Sequence, residues 1–489
     1  MIELTFAQKE SIGFQYVLEA LQPCSPYGQE LLRRITPMGP KDQAELQRQF
    51  SNIQCVLDRE NACAKALDRL LRGLMTMKQV RAEAQKCMEA PLNEIELFEM
   101  KRFLLKSFEI YPDWCQIQAI LQLKGIEILD TAEALDILDP EKNRVATFFI
   151  GDSWSPALQS IRQEKRHLEE LLRQTSDATQ KEALLARRSD VAALEDREEA
   201  RIRSQLSMAL RPYISRILHN MAAIADLDLT VEKARLARRW GGVMPTLTEN
   251  HLEMDAMVNP QIRDMLQQHG RAFTPISIAL QQGATVITGA NMGGKSVALK
   301  TLALNVLLIQ CGFFPFAENV SAPLFDSIHI ISEDLENVNR GLSSFGGEIV
   351  RFNQVAEQLH NGFSLLLLDE FARGTNPDEG AAIVQAVTEY LNGQNAMTVL
   401  STHYDNVAPF ANAHYQVIGL KDMDVKQLSQ ELRHLDRQTC VERIGQHMNY
   451  GLYRVEGKQD CPRDALNICR LLGMDSKILQ AVEKNYGTP

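Results

Sequence analysis

The sequence has no apolar run of the roughly 20 residues that a membrane span needs, and its nine cysteines form no C-x-x-C pair. The first absence argues against a membrane protein, and the second argues against both a zinc site and a disulfide framework. The N-terminus carries Glu3, Lys9 and Glu10, which do not fit a signal peptide. We therefore expect a cytoplasmic protein with reduced thiols and no membrane partner.

The chain also lacks a surplus of positive charge. Its formal net charge is −11, whereas proteins that bind nucleic acid usually carry a basic surplus or a basic stripe. This balance weakens a nucleic-acid function without excluding it, because a local basic face is compatible with an acidic total. At 489 residues the chain is too long for one hydrophobic core, so we expect about two to four domains.

A glycine-rich segment at residues 289–296 fits the phosphate-loop pattern G-x-x-x-x-G-K-S. A predicted strand precedes it and a predicted helix follows it, which favours this interpretation over an ordinary glycine-rich turn. Glycines let backbone N–H groups approach a polyphosphate, and the N-terminus of the helix favours negative charge. Lys295 is suited to reach the β- and γ-phosphates, and the Ser296 hydroxyl is suited to bind Mg²⁺. We predict that the chain binds a nucleoside triphosphate.

Two later predicted strands end in polar side chains. Four leucines at residues 365–368 run into Asp369 and Glu370, and residues 397–402 run into His403. Parallel strands bring their carboxyl ends to one edge of a sheet, so we expect these side chains beside the phosphate loop. Asp369 would hold Mg²⁺ and Glu370 would orient or deprotonate the attacking water. His403 would contact the γ-phosphate or that water, although a lone histidine at a strand end is more often structural.

The rest of the chain predicts helices first and alternating strands and helices afterwards. Between residues 151 and 205 a narrow apolar stripe runs among ten Lys/Arg and eleven Asp/Glu, which indicates a thin antiparallel helical hairpin. The predicted strands are residues 284–288, 327–332, 364–368, 397–402 and 415–420. The predicted domains are a helical region (1–150), the hairpin (151–205), return helices with a linker (206–250), an α/β domain (251–435) and a helical tail (436–489).

Together these motifs resemble the MutS family. Its G-P-N-M-G-G-K-S loop is present with Ala290 in place of proline, and its D-E-x-G-R-G-T segment is present with Ala372 in place of a glycine. Residues 401–404 are similar to its A-T-H-Y segment, and residues 343–348 are similar to its S-T-F-x-x-E segment. The resemblance implies that a set of loop residues contacts the nucleotide: Gly289, Asn291, Met292, Gly293, Gly294, Lys295 and Ser296.

The resemblance implies a fold and a mechanism as well. The fold would be an α/β P-loop ATPase domain of the ABC type after a mostly helical lever region, with the hairpin inserted as a clamp. ATP and Mg²⁺ would be the cofactors, and the chain would hydrolyse ATP. In the homodimer that the family forms, Ser343 would reach the γ-phosphate bound by the other chain, so that each site is shared.

The sequence departs from the mismatch-reading members of the family. The resemblance assigns its first residues to the lever region, so we expect it to lack the two domains that precede that region, and residues 5–8 lack the glutamate of the Phe-x-Glu wedge. We therefore expect the ATPase to act on something other than a DNA mismatch. Phe371, Asn376 and Pro377 carry a resemblance to the ATPase component of a reactivating system for adenosylcobalamin-dependent lysine 5,6-aminomutase. Such an ATPase would act with a second subunit to remodel a client enzyme. The alternative is a DNA-binding clamp on branched, damaged or recombining DNA.

Overall fold

A computed structural model describes residues 4–289, 294–332, 344–404, 406–419, 440, 443, 448–456 and 469–486. The chain divides into two compact units. The sheet unit comprises Met1–Leu21, Ile35–Phe50 and Lys233–Pro489, and the helical unit comprises Gln22–Arg34 and Ser51–Glu232.

Helices make up most of the first half of the chain, as the apolar spacing predicts. Those in the described residues are α1 (Phe6–Ser11), α2 (Phe14–Glu19), α3 (Pro26–Arg33), α4 (Gln43–Met75), α5 (Arg81–Glu89), α6 (Glu94–Leu121), α7 (Ala132–Leu138), α8 (Pro156–Gln174), α9 (Ala178–Leu210), α10 (Ile214–Trp240), α11 (Pro260–Gln268), α12 (Lys295–Gln310), α13 (Ser344–Gln358), α14 (Pro377–Asn392) and α15 (Ser476–Tyr486). None of them is long and apolar enough to cross a membrane.

Helices α8 and α9 form the predicted antiparallel hairpin in the helical unit. The Ser155 hydroxyl accepts hydrogen bonds from the first backbone N–H groups of α8, and the Asp177 carboxylate does the same for α9. These two caps leave a connection of three residues, 175–177. Arg162 on α8 forms ion pairs with Glu195 and Glu199 on α9, which fixes the antiparallel pairing of the two helices.

The sheet unit contains two sheets. The strands are β1 (Thr246–Thr248), β2 (His251–Met257), β3 (Ile276–Gln281), β4 (Gly283–Thr288), β5 (Asn319–Pro323), β6 (Ser327–Ser332), β7 (Ser364–Asp369), β8 (Ala396–Ser401), β9 (Ala413–Gly419) and β10 (Asn449–Arg454). The larger sheet has the order β10-β9-β4-β8-β7-β6, and the smaller one has the order β1-β5-β2-β3.

The larger sheet contains all five strands that the sequence predicts, with bounds shifted by at most two residues. Strands β9, β4, β8, β7 and β6 are parallel, so the carboxyl ends of these strands share one edge. Their apolar runs are continuous because both faces are covered; Leu365, Leu366, Leu367 and Leu368 are all buried. This part of the fold is therefore mixed α/β, as expected.

The prediction of a wholly helical tail after residue 436 is wrong at β10. This strand pairs antiparallel with β9 at the edge of the larger sheet, from Asn449 beside Gly419 to Arg454 beside Tyr415. The apolar pattern around its two tyrosines and its glycine predicts neither a helix nor a strand. The strand is instead stabilised by pairing with the free edge of β9. The smaller sheet was also missed. Helix α15 agrees with the predicted helical tail, much of which lies outside the described part of the chain.

Candidate active site

The start of α12 has a backbone that glycine alone adopts easily. Gly289 follows β4 with a φ of 142°, and Gly294 precedes α12 with a φ of 85°. A Cβ on Gly294 would lie 2.9 Å from Cδ1 of Tyr450, and one on Gly289 would lie 3.1 Å from Cβ of Val417. Both glycines are thus required by conformation and by space. The residues between them, 290–293, lie outside the described part of the chain.

Lys295 begins α12 and is 3% exposed. Its Nζ donates a hydrogen bond of 2.8 Å to the carbonyl oxygen of Gly289 and lies 3.6 Å from Oε1 of Glu370. The amino group is therefore held at the carboxyl end of β4, next to a carboxylate that follows β7, two strands away in the sheet. A buried ammonium is costly unless it is paired, so this arrangement suits an anionic ligand at the same edge.

Asp369 is the centre of a hydroxyl network. The Ser296 hydroxyl donates to its Oδ1 at 3.0 Å, and the Ser401 hydroxyl donates to the same atom at 2.6 Å. Strands β7 and β8 place Asp369 beside Ser401 in register. Mg²⁺ takes oxygen ligands and is usually held by one or two protein oxygens together with water and phosphate. The oxygens of Ser296 and Asp369 fit that requirement.

Glu370 follows in a strained backbone conformation, with a φ of 51°. Its backbone N–H donates to the Ser401 hydroxyl at 2.9 Å, and its Oε2 accepts a hydrogen bond of 2.6 Å from Arg373. The side chain is 14% exposed, with Lys295 on its other oxygen. Non-glycine residues with positive φ persist where the surroundings hold them, and such strain concentrates at functional sites.

His403 follows the end of β8, two residues after Ser401. The histidine is partly buried, and its ring centre lies 4.4 Å from that of Tyr404. The parallel sheet thus brings the chain at His403 to the edge that carries Asp369. Of the remaining predicted site residues, Asn291, Met292, Gly293 and Ser343 lie outside the described residues, and their roles stay predictions.

Several contacts at this edge were not predicted. The Ser401 hydroxyl joins Asp369 to the backbone of Glu370, and the sequence signal for it was its position at a strand end beside His403. The ring of Tyr450 lies against Gly294, and it was hidden by the helical prediction for the tail. At the end of β4, Thr288 is hydrogen-bonded to His414 at 2.8 Å, and burial lowers the pKa of that imidazole.

Comparison with known proteins places this edge within a family domain. Residues 285–470 match the family model described as MutS domain V. Similar proteins include three named Endonuclease MutS2. That of Enterococcus faecalis is 30% identical over 59% of this chain and 34% of the relative, and that of Thermomicrobium roseum is 34% identical over 45% and 29%. That of Exiguobacterium sibiricum is 29% identical over 63% and 36%. The chain thus spans about a third of these relatives' length, and residues 285–470, which include this edge, are similar to a MutS-family domain.

Proposed function

We propose that this chain binds ATP with Mg²⁺ through a P-loop at the edge of the larger sheet and hydrolyses it. The observation that carries the proposal is the convergence of Lys295 and Ser296 with Asp369 and Glu370, two pairs that come from separate segments of the chain. Lys295 would contact the β- and γ-phosphates, and Ser296 with Asp369 would hold Mg²⁺. When bound, Mg²⁺ would neutralise negative charge on the phosphates.

Glu370 would act on water in this proposal. Its carboxylate is held on both sides, by Lys295 at 3.6 Å and by Arg373 at 2.6 Å, so its orientation is restricted. A base positioned in this way contributes about 10²–10⁴-fold to a rate. His403 would contact the γ-phosphate or the water from the end of the neighbouring strand.

The test of the proposal is removal of the Lys295 ammonium. Lys295→Ala should abolish ATP binding, measured with a fluorescent ATP analogue, because the buried positive charge is lost. Lys300→Ala changes a lysine one turn along the same helix and serves as the matched control. ATP binding of Lys295→Ala at the affinity of the control would refute the assignment of the phosphate site.

We further propose that the ATPase acts on nucleic acid. The support is the name of the relatives, because an endonuclease is an enzyme that cuts nucleic acid. These names favour the DNA-clamp alternative over the aminomutase reactivase that Phe371, Asn376 and Pro377 suggested.

One structural observation favours a protein client as the second candidate. Four basic side chains of the hairpin are paired with acidic ones across its two helices: Arg162 with Glu195 and Glu199, Lys165 with Glu195, Arg187 with Glu164, and Arg188 with Glu169. A surface that contacts phosphates needs cations that are not already neutralised. The paired charges therefore weaken the hairpin as a DNA-binding element.

Steady-state ATP hydrolysis with duplex, branched and single-stranded DNA separates the two candidates. Stimulation that falls steeply as the salt concentration rises would support phosphate contacts and the clamp. No response to any of the three DNAs at any salt concentration would refute the nucleic-acid load and favour the protein client. The sample for this test is the 489-residue chain.

We also propose that two chains share each ATP site, with Ser343 of one chain reaching the nucleotide of the other. Helix α13 begins at the next residue, Ser344. Mixing Ser343→Ala chains with Lys295→Ala chains tests the arrangement. A mixed dimer should contain at most one working site, since each variant spoils a different half. ATP turnover by the mixture no higher than that of either variant alone would contradict sharing.

A further inference from the structure

Side chains from two other segments hold the backbone of Ala372, one at its N–H group and one at its carbonyl oxygen. Its N–H donates a hydrogen bond of 2.9 Å to Oε2 of Glu348 on α13. Its carbonyl oxygen accepts a hydrogen bond of 2.8 Å from the hydroxyl of Tyr404, which follows β8. Glu348 is 2% exposed and Tyr404 is 7% exposed, so both bonds lie away from water. Buried hydrogen bonds of this kind are costly to break because their groups find no replacement.

Helix α14 leaves the space that the Tyr404 hydroxyl occupies. A Cβ on Gly380 would lie 2.2 Å from Oη of Tyr404 and 3.0 Å from the carbonyl oxygen of Ala372. Glycine inside a helix is destabilising by about 0.5–1 kcal/mol relative to alanine, so its presence here has a specific packing reason. The fold thus makes room for one hydroxyl at one carbonyl.

A second contact joins α13 to the same loop. The ring of Phe371 is 2% exposed and lies 5.4 Å from the ring of Phe352, which is on α13 with Glu348. The residues on either side of Phe371 both have positive φ, 51° at Glu370 and 62° at Ala372. Strain at two neighbouring positions persists only where the surroundings hold the backbone in place. Glu348, Tyr404 and Phe352 supply that hold.

Since Glu370 is the proposed base, this inference rests on the proposed function. We propose that Glu348 and Tyr404 are positioning residues that fix the Ala372 peptide and thereby set the orientation of Glu370. Neither would touch the nucleotide. Helix α13 starts directly after Ser343, so a movement of that helix would reach Glu370 through Glu348.

Burial raises the pKa of Tyr404, and the nearby Glu348 raises it further. The phenol therefore keeps its proton at physiological pH and remains a donor to Ala372. Removing that donor should release the carbonyl end of the peptide without changing the phosphate loop. The consequence expected is slower hydrolysis with normal ATP binding, because orientation of the base affects the chemical step.

Tyr404→Phe is the first test, with Tyr390→Phe on the exposed side of α14 as its matched control. The kcat of Tyr404→Phe should fall about tenfold, while the affinity for ATP stays within about twofold of the control. An equal loss of kcat and ATP affinity would indicate a merely structural role and overturn the inference. So would a kcat within about twofold of the control.

Glu348 gives an independent variant if the tyrosine change harms folding. Glu348→Ala removes the acceptor and should lower kcat about tenfold, whereas Glu348→Gln keeps an acceptor oxygen and should restore most of it. Glu357→Gln, on the exposed part of α13, is the control for the charge change. Equal activity of the alanine and glutamine variants would overturn the inference.

A double-mutant cycle tests whether the effect passes through Glu370. In a Glu370→Gln background, Tyr404→Phe should cause no further loss of kcat, because the group it positions is already absent. A further tenfold loss would mean that Tyr404 acts elsewhere. Failure of the proposed function has a different signature, since wild-type protein would then bind no ATP, or Lys295→Ala would bind it normally.

Discussion

The hairpin of the helical unit and the edge of the larger sheet both concentrate charge, but they use it differently. On the hairpin, Arg162 meets Asp152, Glu195 and Glu199 at 2.8–3.0 Å, and its neighbours pair in the same way. At the sheet edge, Lys295 and Arg373 share one carboxylate, that of Glu370. The hairpin balances its charges, whereas the sheet edge gathers cations around a single acid.

Exposure sharpens this difference. The Arg187 and Glu164 side chains of the hairpin are 59% and 42% exposed, while those of Lys295 and Glu370 are 2% and 14% exposed. Exposed ion pairs are screened by water and contribute little, whereas buried charges interact strongly and need a reason to persist. The hairpin charges thus support a helical shape, whereas the buried sheet-edge charges fit the proposed binding of an anionic ligand.

Among the substitutions that test this difference, the largest effect is expected at Glu370. Glu370→Gln should bind ATP but lose about 10²–10⁴-fold in kcat, because the amide cannot accept a proton from water. Steady-state hydrolysis at saturating ATP measures the loss. Glu389→Gln, on the exposed part of α14, should hydrolyse normally. Wild-type turnover by Glu370→Gln would require another base.

Asp369 should show the next largest effect. Asp369→Asn removes the charge that would hold Mg²⁺ and leaves the hydroxyls of Ser296 and Ser401 in place. We expect the Mg²⁺ concentration for half-maximal ATP hydrolysis to rise about 10–100-fold, in the range of changes around metal ligands. A Mg²⁺ titration of the variant and of Asp378→Asn, an acid at the start of α14, provides the check. An unchanged Mg²⁺ requirement would exclude Asp369 from the metal site.

The smallest effect is expected for the hairpin, where a substitution should change the stability of the fold and leave ATP hydrolysis unchanged. Arg162→Ala removes ion pairs to three carboxylates and should lower the free energy of unfolding by about 1 kcal/mol. ATP binding and kcat without DNA should stay unchanged. Chemical denaturation measures the first quantity, with Arg173→Ala, near the end of the same helix, expected within about 0.5 kcal/mol of wild type. A loss of basal ATP turnover in Arg162→Ala would contradict the division between structural and functional charge.

Local sequence patterns were sufficient to predict much of this molecule. The five parallel strands, the helix after the phosphate loop and the hairpin follow from apolar spacing and from turn residues, which act over a few positions. The polar ends of β7 and β8 could be assigned to one edge because parallel strands share that edge. Strand β10 and the smaller sheet could not be predicted, since short strands with mixed exposure depend on their partners.

The sequence alone was enough to identify the groups on which the proposal depends: a glycine-rich loop between a strand and a helix, two carboxylates at a strand end, and a histidine at the next one. Only the tertiary structure decided how these groups are held. The bond from Ser401 to Asp369 depends on the register of two strands, and the contact of Tyr450 with Gly294 joins segments about 150 residues apart in the chain. The two bonds to the Ala372 peptide come from separate elements as well. Such contacts arise from packing among distant segments, and local patterns contain no record of them.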